Sequence, residues 1–269
     1  MTRKVETITS AANPLLKDVR RAIHRGGLTD DGLAVAETFH LLEEALRSDC
    51  EVKAVIAAAS VEAAAEKHVR GLGSVRVIVV ADPLFQGISG TETAQGVMAL
   101  VKPPAWGLAQ LLRGCPLVVV LDGLQDPGNA GAILRTAEAF GATGALFVKG
   151  TVSPYNPKAV RASAGSVFRV PLLHGMDPGL ARAALQQHKV DLYAAVPARS
   201  LGPARPIADA DFNRPCGLIV GSEAHGVSED LRGAALDVTI PTIAVESLNA
   251  AVAAGILLYE ARRQRTMEL

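Results

Sequence analysis

The sequence lacks an excess of charge of either sign, because its 27 Lys and Arg residues are matched by 27 Asp and Glu residues. This balance excludes the strong cationic field by which many nucleic-acid-binding domains attract their partners, so any RNA site must be local. Two clusters of basic residues are candidates. The first suits either RNA contact or a solvated helix face, and for the second we prefer a solvated helix face. The first cluster is Lys17, Arg20, Arg21 and Arg25, and the second is Arg262, Arg263 and Arg265.

Cysteine is scarce, and long apolar runs are missing. Cys50, Cys115 and Cys216 are far apart and none belongs to a C-x-x-C pair, which argues against a zinc site and against a disulfide framework. The opening MTRKVETITSAANP has no apolar signal core, and apolar runs such as PLVVVLD have only the length of a strand. We therefore expect a cytoplasmic protein with no bound metal and no membrane segment.

The sequence does have enough apolar residues for a buried core. Hydrophobic residues make up 49% of its 269 positions, which is typical of a globular chain, and the length favours two domains. Apolar spacing predicts helices over residues 14–25 and 36–48 and strands at VKAVIAA and VRVIVVA. We expect these elements to form a small α/β domain over residues 1–104, with a linker over residues 105–116.

The pattern changes at residue 117. Near-continuous apolar strands, such as LVVVLD, GALFV and CGLIVGSE, alternate with helical patterns over residues 130–140, 156–165 and 247–264. This alternation predicts an α/β domain over residues 117–269 with a parallel sheet covered on both faces. Ligands of such sheets bind beyond the carboxyl ends of the strands. The loops expected there are DGLQDPGNAGA, GSEAHGVS and PTIAVESLNAA.

The first loop places Asn129 between Gly128 and Gly131 at a helix start. A helix start offers unpaired N–H groups that favour an anion, although an ordinary strand-to-helix turn has the same composition. The G-x-G-x-x-G spacing is absent, which argues against a Rossmann-type methyltransferase or dehydrogenase. Arg135 lies one turn after Gly131, where it can reach a phosphate at the loop or pair with Glu138.

The second and third loops add polar residues and a long apolar helix. Gly221 follows an apolar strand, where a backbone can approach a ligand closely, and Glu223 lies at the rim. Ser228 and Ser247 are each expected to cap a helix. The final helix carries an apolar stripe that suits either a buried core helix or a dimer interface. The stripe consists of Leu248, Ala251, Val252, Gly255, Ile256 and Tyr259.

Three segments that occur in this order carry a family resemblance. NAGAILRTAEAFGA, LIVGSEAHGVS and IPTIAVESLNAAVAAGILLYEARR resemble the three motifs of the SpoU (TrmH) family of RNA ribose 2'-O-methyltransferases, within the SPOUT superfamily. Upstream, ITSAANPLLKDVRRA and AQGVMALV resemble the two ends of an RNA-binding domain that many members carry and that is shared with some ribosomal proteins. One difference lies in AVAETFHLLEEAL, where Thr38 takes the place of a glycine in the family's usual turn. The shape of that turn is therefore not predicted.

The resemblance implies a fold that the hydrophobic pattern does not predict. The C-terminal chain of family members forms a deep trefoil knot, against the general rule that protein connections do not knot. The resemblance also implies that S-adenosylmethionine binds in the knot, with contacts at Gly221, Ile240 and Leu248. It implies in addition a homodimer with the site near its interface.

The resemblance assigns the chemistry to residues of all three motifs. Methyl transfer to a ribose hydroxyl requires removal of the hydroxyl proton, because a neutral hydroxyl is a weak nucleophile. The family gives this task to the first-motif arginine, here Arg135. Since an arginine loses its proton only at high cost, we prefer a mixed role as phosphate clamp and hydroxyl activator.

Four further residues receive supporting roles from the resemblance. Asn129 is expected to position Arg135 or the ribose, and Glu223 to orient groups around the site. Ser247 and Asn249 are expected to bind the substrate or the loop, with capping of its own helix as the alternative for Asn249.

The expected function is methylation of a ribose 2'-hydroxyl in RNA, with the first basic cluster in the RNA-binding domain. Short tRNA enzymes of this family usually lack that domain, so 23S rRNA is the expected substrate and tRNA is the alternative. A non-catalytic RNA-binding protein of the same fold is a second alternative. The complete set of motif residues argues against it: Asn129, Arg135, Glu223, Ser247 and Asn249.

Overall fold

The computed structural model describes residues 5–197 and 204–266. Contacts within the chain divide it into two compact units. The N-terminal unit comprises Met1–Ala105 together with Tyr155–Arg169, and the C-terminal unit comprises Trp106–Pro154 together with Val170–Leu269. Residues 155–169 are therefore part of the N-terminal unit in space, although they lie far along the sequence.

A mixed five-stranded sheet forms the centre of the N-terminal unit, in the order β1-β4-β3-β5-β2, with β5 antiparallel to β3 and β2. The predicted helix over 14–25 is confirmed. The helix predicted over 36–48 is wrong at its start, because the chain up to Glu37 forms a strand. The elements are β1 (Val5–Ile8), α1 (Pro14–Arg25), β2 (Ala34–Glu37), α2 (Phe39–Arg47), β3 (Glu51–Ala58), α3 (Glu62–His68), β4 (Arg76–Val80), α4 (Asp82–Ile88) and β5 (Val97–Lys102).

The helices of this unit lie on both faces of its sheet. Leu16 and Val19 of α1 and Phe85 of α4 share one buried cluster with Ile56 of β3 and Ile78 of β4. Side chains alternate between the two faces of a strand. The remaining buried side chains of β3 and β4 therefore point to the opposite face, where α2 and α3 pack.

Thr38 forms the turn between β2 and α2 in a conformation that usually belongs to glycine. Its φ is 119° and its ψ is 152°, while its Oγ1 accepts a hydrogen bond from Leu41 N at 3.2 Å and so caps α2. A β-branched residue at positive φ is strained. The turn therefore keeps a glycine-like shape despite the threonine.

The C-terminal unit is built on a seven-stranded sheet in the order β10-β12-β9-β11-β6-β7-β8, whose pairings are all parallel. This confirms the predicted α/β class with a large parallel sheet. Its strands are β6 (Leu117–Asp122), β7 (Gly144–Val148), β8 (Leu172–Met176), β9 (Asp191–Val196), β10 (Arg205–Pro206), β11 (Cys216–Gly221) and β12 (Leu236–Thr239). The helices from residue 106 onwards are α5 (Leu108–Leu111), α6 (Pro127–Ala139), α7 (Pro157–Ala162), α8 (Pro178–Gln187), α9 (Glu229–Arg232) and α10 (Ala250–Thr266), of which α7 belongs to the N-terminal unit.

The central strands of the C-terminal unit bring two of the predicted loops to the same edge. β6 and β11 are neighbours, and Asp122 at the end of β6 lies opposite Gly221 at the end of β11. The loops that follow them start side by side. The loop after β12 leaves the same edge, because all these strands are parallel.

The end of α10 is fixed by Arg265, for which the sequence predicts a solvated helix face. The Arg265 guanidinium donates to the carbonyl oxygens of Phe212, Cys115, Pro116 and Arg214 at 2.7–2.9 Å. The prediction of a solvated face is thus wrong for Arg265, which ties the helix to the beginnings of β6 and β11. Within residues 5–197 and 204–266, no helix combines the length and apolarity needed to cross a bilayer.

Candidate active site

Asn129 joins the three predicted loops by hydrogen bonds. Its Nδ2 donates to Glu223 Oε1 at 2.6 Å, and its Oδ1 accepts from Asn249 Nδ2 at 3.0 Å. Both ends of the Asn129 amide are therefore in use. The parallel sheet has brought together three predicted side chains from three different motifs.

The beginning of α6 is an ordinary capped turn. Asp126 is its N-cap, and Asp126 Oδ1 accepts from Asn129 N at 2.7 Å. The chain's own carboxylate thus occupies the helix start that we considered for an anion. Of the two interpretations of this loop, the structure favours the strand-to-helix turn.

Asn249 caps α10 and also reaches the first loop. Its Oδ1 accepts from Ala251 N at 2.9 Å and from Val252 N at 3.3 Å, while its Nδ2 binds Asn129. The prediction that Ser247 caps this helix is wrong, because α10 begins only at Ala250. One amide side chain therefore fulfils both roles considered for Asn249.

The second loop folds back tightly on the end of β11. Ser222 and Gly226 form a bridge with hydrogen bonds of 3.1 and 2.8 Å. A Cβ at Gly221 would lie 2.1 Å from the carbonyl carbon of Gly226. Glycine is needed at Gly221 because the chain's own backbone lies there, whereas the sequence suggested close approach to a ligand.

Asp122 holds the far end of this loop, a role that the sequence motifs do not predict. The side chain is 5% exposed, and its Oδ2 accepts from Ser228 N at 2.7 Å. Ser228 occupies the N-cap position of α9, but its hydroxyl has no hydrogen-bond partner among the described residues. The expected cap by the Ser228 side chain is therefore wrong, and its backbone is anchored instead. The signal present in the sequence is a carboxylate at the end of an apolar strand.

A cavity of about 380 Å³ opens beside the second and third loops. All three residues predicted to contact the cofactor line it, namely Gly221, Ile240 and Leu248, together with Glu223 and Ser247. Its volume and mixed polar and apolar lining are typical of small-molecule sites. Because Glu223 also binds Asn129, it connects the cavity to the first loop.

Arg135 lies apart from this hydrogen-bonded group. It is exposed on α6, about 9 Å further along the helix axis than Asn129 at 1.5 Å of rise per residue. Within the described parts of the chain, its guanidinium has no hydrogen bond and no ion pair. Arg135 therefore makes neither the predicted pairing with Glu138 nor the predicted contact with Asn129 in the described structure. Its side chain is available to a ligand.

The predicted RNA-binding residues all lie exposed on α1. Arg21 pairs with Asp30 at 2.7 Å and Asp18 at 3.4 Å, and Arg25 lies 4.0 Å from Asp30. Lys17 and Arg20 have no ion-pair partner in the described residues. The cluster is therefore partly neutralised, with Lys17 and Arg20 as its unpaired cations.

Neither a metal centre nor a reactive thiol is found among the described residues. Within residues 5–197 and 204–266, no group of three or more His, Cys, Asp or Glu side chains is arranged to hold a metal. Burial raises the pKa of the Cys216 thiol to about 11, although the nearby Arg265 acts in the opposite direction. This thiol is consequently protonated at neutral pH and a poor nucleophile.

Known proteins resemble this chain over nearly its whole length. It is 35% identical to an uncharacterized tRNA/rRNA methyltransferase of Synechocystis sp., covering 98% of this chain and 96% of the relative. It is 29% identical to the 23S rRNA (guanosine(2553)-2'-O)-methyltransferase of Bacillus subtilis, covering 96% and 100%. The crystal structure of the SpoU methyltransferase AviRb from Streptomyces viridochromogenes, in complex with AdoMet, matches with a TM-score of 0.80 at 27% identity, covering 95% of this chain and 100% of that one.

Two family models match separate parts of the sequence. The MRM3-like substrate binding domain matches residues 13–99. The SpoU rRNA Methylase family matches residues 116–259, which is more than half of the chain and contains all three hydrogen-bonded loops. This protein belongs to the SpoU rRNA methylase family.

Proposed function

We propose that this protein transfers a methyl group from S-adenosylmethionine to a ribose 2'-hydroxyl of 23S rRNA. The observation that carries the proposal is the hydrogen-bonded group of Glu223, Asn129 and Asn249, which connects a ligand-sized cavity to the helix that bears Arg135. The choice of 23S rRNA is supported by the Bacillus subtilis relative, which is named for that substrate and aligns along its full length.

The cavity suits S-adenosylmethionine, which is bound in the AviRb structure. Ile240 and Leu248 give it an apolar side, and the carboxylates of Glu223 and Glu246 suit a cationic ligand. Gly221, Ile240 and Leu248 would hold the cofactor here. When bound, the cofactor supplies an activated methyl group on sulfur.

Arg135 is the residue that acts on the RNA. Its exposed guanidinium, unpaired within the described chain, can bind a phosphate through two N–H groups. Its guanidinium clamps the phosphate next to the reacting ribose, and its positive charge stabilises the developing alkoxide as the hydroxyl proton passes to that phosphate or to water. Asn129, held by Glu223 and Asn249, fixes the start of the helix that bears Arg135 further along. Ser247, at the cavity lining, binds the substrate.

RNA affinity comes from the N-terminal part of the chain. We assign substrate binding to residues 1–104 and catalysis to residues 117–269, with residues 105–116 between them. The match of residues 13–99 to a substrate-binding model supports this division. Lys17, Arg20, Arg21 and Arg25 on α1 are the proposed phosphate contacts.

The proposal includes a homodimer formed through α10. None of the residues of the predicted apolar stripe is fully buried: the buried residues of α10 are Ala250, Ala254, Leu257, Leu258, Glu260 and Ala261. On the stripe, Val252 is 51% exposed and Tyr259 is 56% exposed, even though Tyr259 also packs edge-on against Phe140 of α6 at 5.7 Å. An exposed apolar face next to the cavity supports the interface interpretation over the core interpretation.

The deep trefoil knot and the cytoplasmic location are parts of the same proposal. The strand order supports the knot, because β11 is inserted between β6 and β9 while β12 follows on the far side of β9. An enzyme that modifies ribosomal RNA needs access to the compartment in which that RNA is assembled, which supports the cytoplasm.

The test is methyl transfer from labelled S-adenosylmethionine to 23S rRNA, with tRNA as the competing substrate. We expect label in 23S rRNA at a ribose. Arg135→Ala should reduce transfer by a factor of 100 or more, roughly 3 kcal/mol of transition-state stabilisation, because the phosphate clamp is lost. Cofactor affinity, measured by calorimetry, should stay near that of the wild type, because Arg135 does not line the cavity.

Arg113→Ala is the matched control, since Arg113 is an exposed arginine of the same unit that has no ion pair to a described residue. Its transfer rate should equal that of the wild type. Label in a base, label only in tRNA, or normal turnover by the Arg135 variant would each contradict a part of this proposal.

A further inference from the structure

Residues 155–169 bring a lysine from the second half of the chain to the cationic helix α1. Gly26 ends α1 with a φ of 68°, and a Cβ at this glycine would lie only 2.3 Å from Asn156 Nδ2. Asn156 is the N-cap of α7, and its Oδ1 accepts from Lys158 N at 2.9 Å. Lys158 therefore lies beside the last turn of α1, which carries His24 and Arg25.

Two ion pairs fix this segment within the N-terminal unit. Arg161 donates to Glu37 Oε2 at 2.7 Å, and Arg169 pairs with Glu44. Glu37 is only 4% exposed and also accepts from Ser89 Oγ at 2.9 Å and Gly90 N at 2.8 Å. A buried carboxylate with this many donors is a firm anchor. The position of Lys158 relative to α1 is thus set by the packing of the unit.

Lys158 is free to bind an external anion. Its side chain is exposed and has no ion pair with a described residue. In this it resembles Lys17 and Arg20, whereas Arg21 and Arg25 share the carboxylate of Asp30. Exposed cations without an ion pair to a described residue are therefore present on both α1 and α7.

We propose that Lys158 is an RNA-phosphate contact and that the RNA-binding surface of the N-terminal unit extends from α1 onto α7. We define this α1–α7 surface as Lys17, Arg20, Arg21, Arg25 and Lys158. RNA is the partner because it offers a phosphate at every nucleotide along an extended cationic surface, and because the model matched by residues 13–99, which include α1, is a substrate-binding domain of an RNA-modifying family. The inference rests on the proposed function.

The extension changes which residues bind substrate. Lys158 lies within residues 116–259, the part that matches the methylase family, yet it serves the substrate-binding unit. RNA binding is then not confined to residues 1–104. A variant that lacks only the N-terminal cluster keeps part of the surface.

The experiment measures binding of the full chain to a 23S rRNA transcript over a range of salt concentrations. Lys158→Ala should raise Kd several-fold and reduce the slope of log K against log salt by about 0.7–0.9, the value for one lost phosphate contact. Lys158→Glu should weaken binding further. Both Lys158 variants should keep the wild-type affinity for S-adenosylmethionine and the wild-type melting temperature. Lys158 is exposed and does not belong to the unit that contains the cavity.

Lys67→Glu is the matched control, because Lys67 is an exposed lysine of the same unit on α3, which packs on the face of the sheet opposite α1. It makes the same charge change away from the α1–α7 surface and should leave the slope unchanged. Lys158 variants that bind as tightly as Lys67→Glu, with the same slope, would overturn the inference and leave the proposed function intact. A wild-type protein that binds the transcript without methylating it, with binding weakened at Lys158, would support the surface and contradict the proposed activity.

Discussion

At the scale of single residues, the Asn129 amide holds the three loops of the candidate site together. Asn129, Glu223 and Asn249 were predicted as site residues through the family resemblance, and the structure joins them in one hydrogen-bonded group. The partners of each amide group were not predictable, because they depend on which loops leave the sheet side by side. Asp122 was missed for the same reason, since its partner, Ser228 N, lies 106 residues away.

Thr38 is the clearest case of local strain. The residue holds a φ of 119°, which a glycine tolerates and a β-branched residue does not, while its hydroxyl caps α2. Such a conformation costs about 1–3 kcal/mol. Replacing a capping threonine by glycine loses only a few tenths of a kcal/mol of cap energy. We therefore attribute a net destabilisation to this side chain.

Thr38→Gly should raise the free energy of unfolding by about 1 kcal/mol, because relief of strain exceeds the lost cap and the greater freedom of glycine in the unfolded chain. Thr38→Ala keeps the strain and loses the cap, so it should lower the free energy by about 1 kcal/mol. Urea unfolding of the full chain, followed by circular dichroism, measures both. An alanine variant as stable as the glycine variant would show that the turn is not strained.

At the scale of elements, the type of each long helix and buried strand was predictable, and the places where elements begin were less so. The helix predicted from residue 247 begins at Ala250, because Asn249 rather than Ser247 supplies the cap. The segment predicted as helical from residue 36 begins as the edge strand β2. In both cases, contacts with residues far away in the sequence override the local signals. A sequence pattern does not contain those contacts.

The loop after β11 depends on Asp122 for its shape. Six of its residues line the cavity, from Ser222 to Val227, and the buried Asp122 carboxylate holds the next residue through Ser228 N. In the proposed function, Asp122 is a positioning residue, because it holds the loop that lines the cofactor cavity. Loss of the carboxylate would leave the partly buried Ser228 N–H without a partner, which costs about 1 kcal/mol or more.

Asp122→Ala should weaken S-adenosylmethionine binding roughly tenfold, about 1.4 kcal/mol, while Asp122→Asn should retain most of the affinity, because an amide oxygen can still accept from Ser228 N. Calorimetry measures both. Glu37→Ala is the control, since it removes a comparably buried carboxylate from the other unit. It should lower stability without changing cofactor affinity. Equal affinity losses in Asp122→Ala and Glu37→Ala would mean that Asp122 acts only through general stability.

For the whole molecule, the sequence predicted two parts and a parallel sheet, but not the assignment of residues 155–169 to the N-terminal unit. Nothing in NPKAVRASAG identifies Glu37 or Gly26 as a neighbour. The side chains that anchor the segment, Arg161 and Arg169, look like ordinary helix-surface arginines in the sequence. Their role follows only from the buried carboxylate that they meet in three dimensions.

The proposed homodimer gives the last test. Val252 and Tyr259 are seven residues apart on α10 and therefore share a face, and Ile243 in the preceding loop is 100% exposed. A charge on this face would have to be buried without a partner on assembly, which costs several kcal/mol. In analytical ultracentrifugation, the wild type should sediment with about twice the chain mass of 28.0 kDa, and Val252→Glu with the mass of a single chain. The variant should also transfer methyl groups more slowly. Leu180→Glu places the same charge at an apolar residue of α8 that is 68% exposed, away from α10, and should remain dimeric. If wild type and Val252→Glu sediment alike, the apolar face of α10 does not hold two copies together.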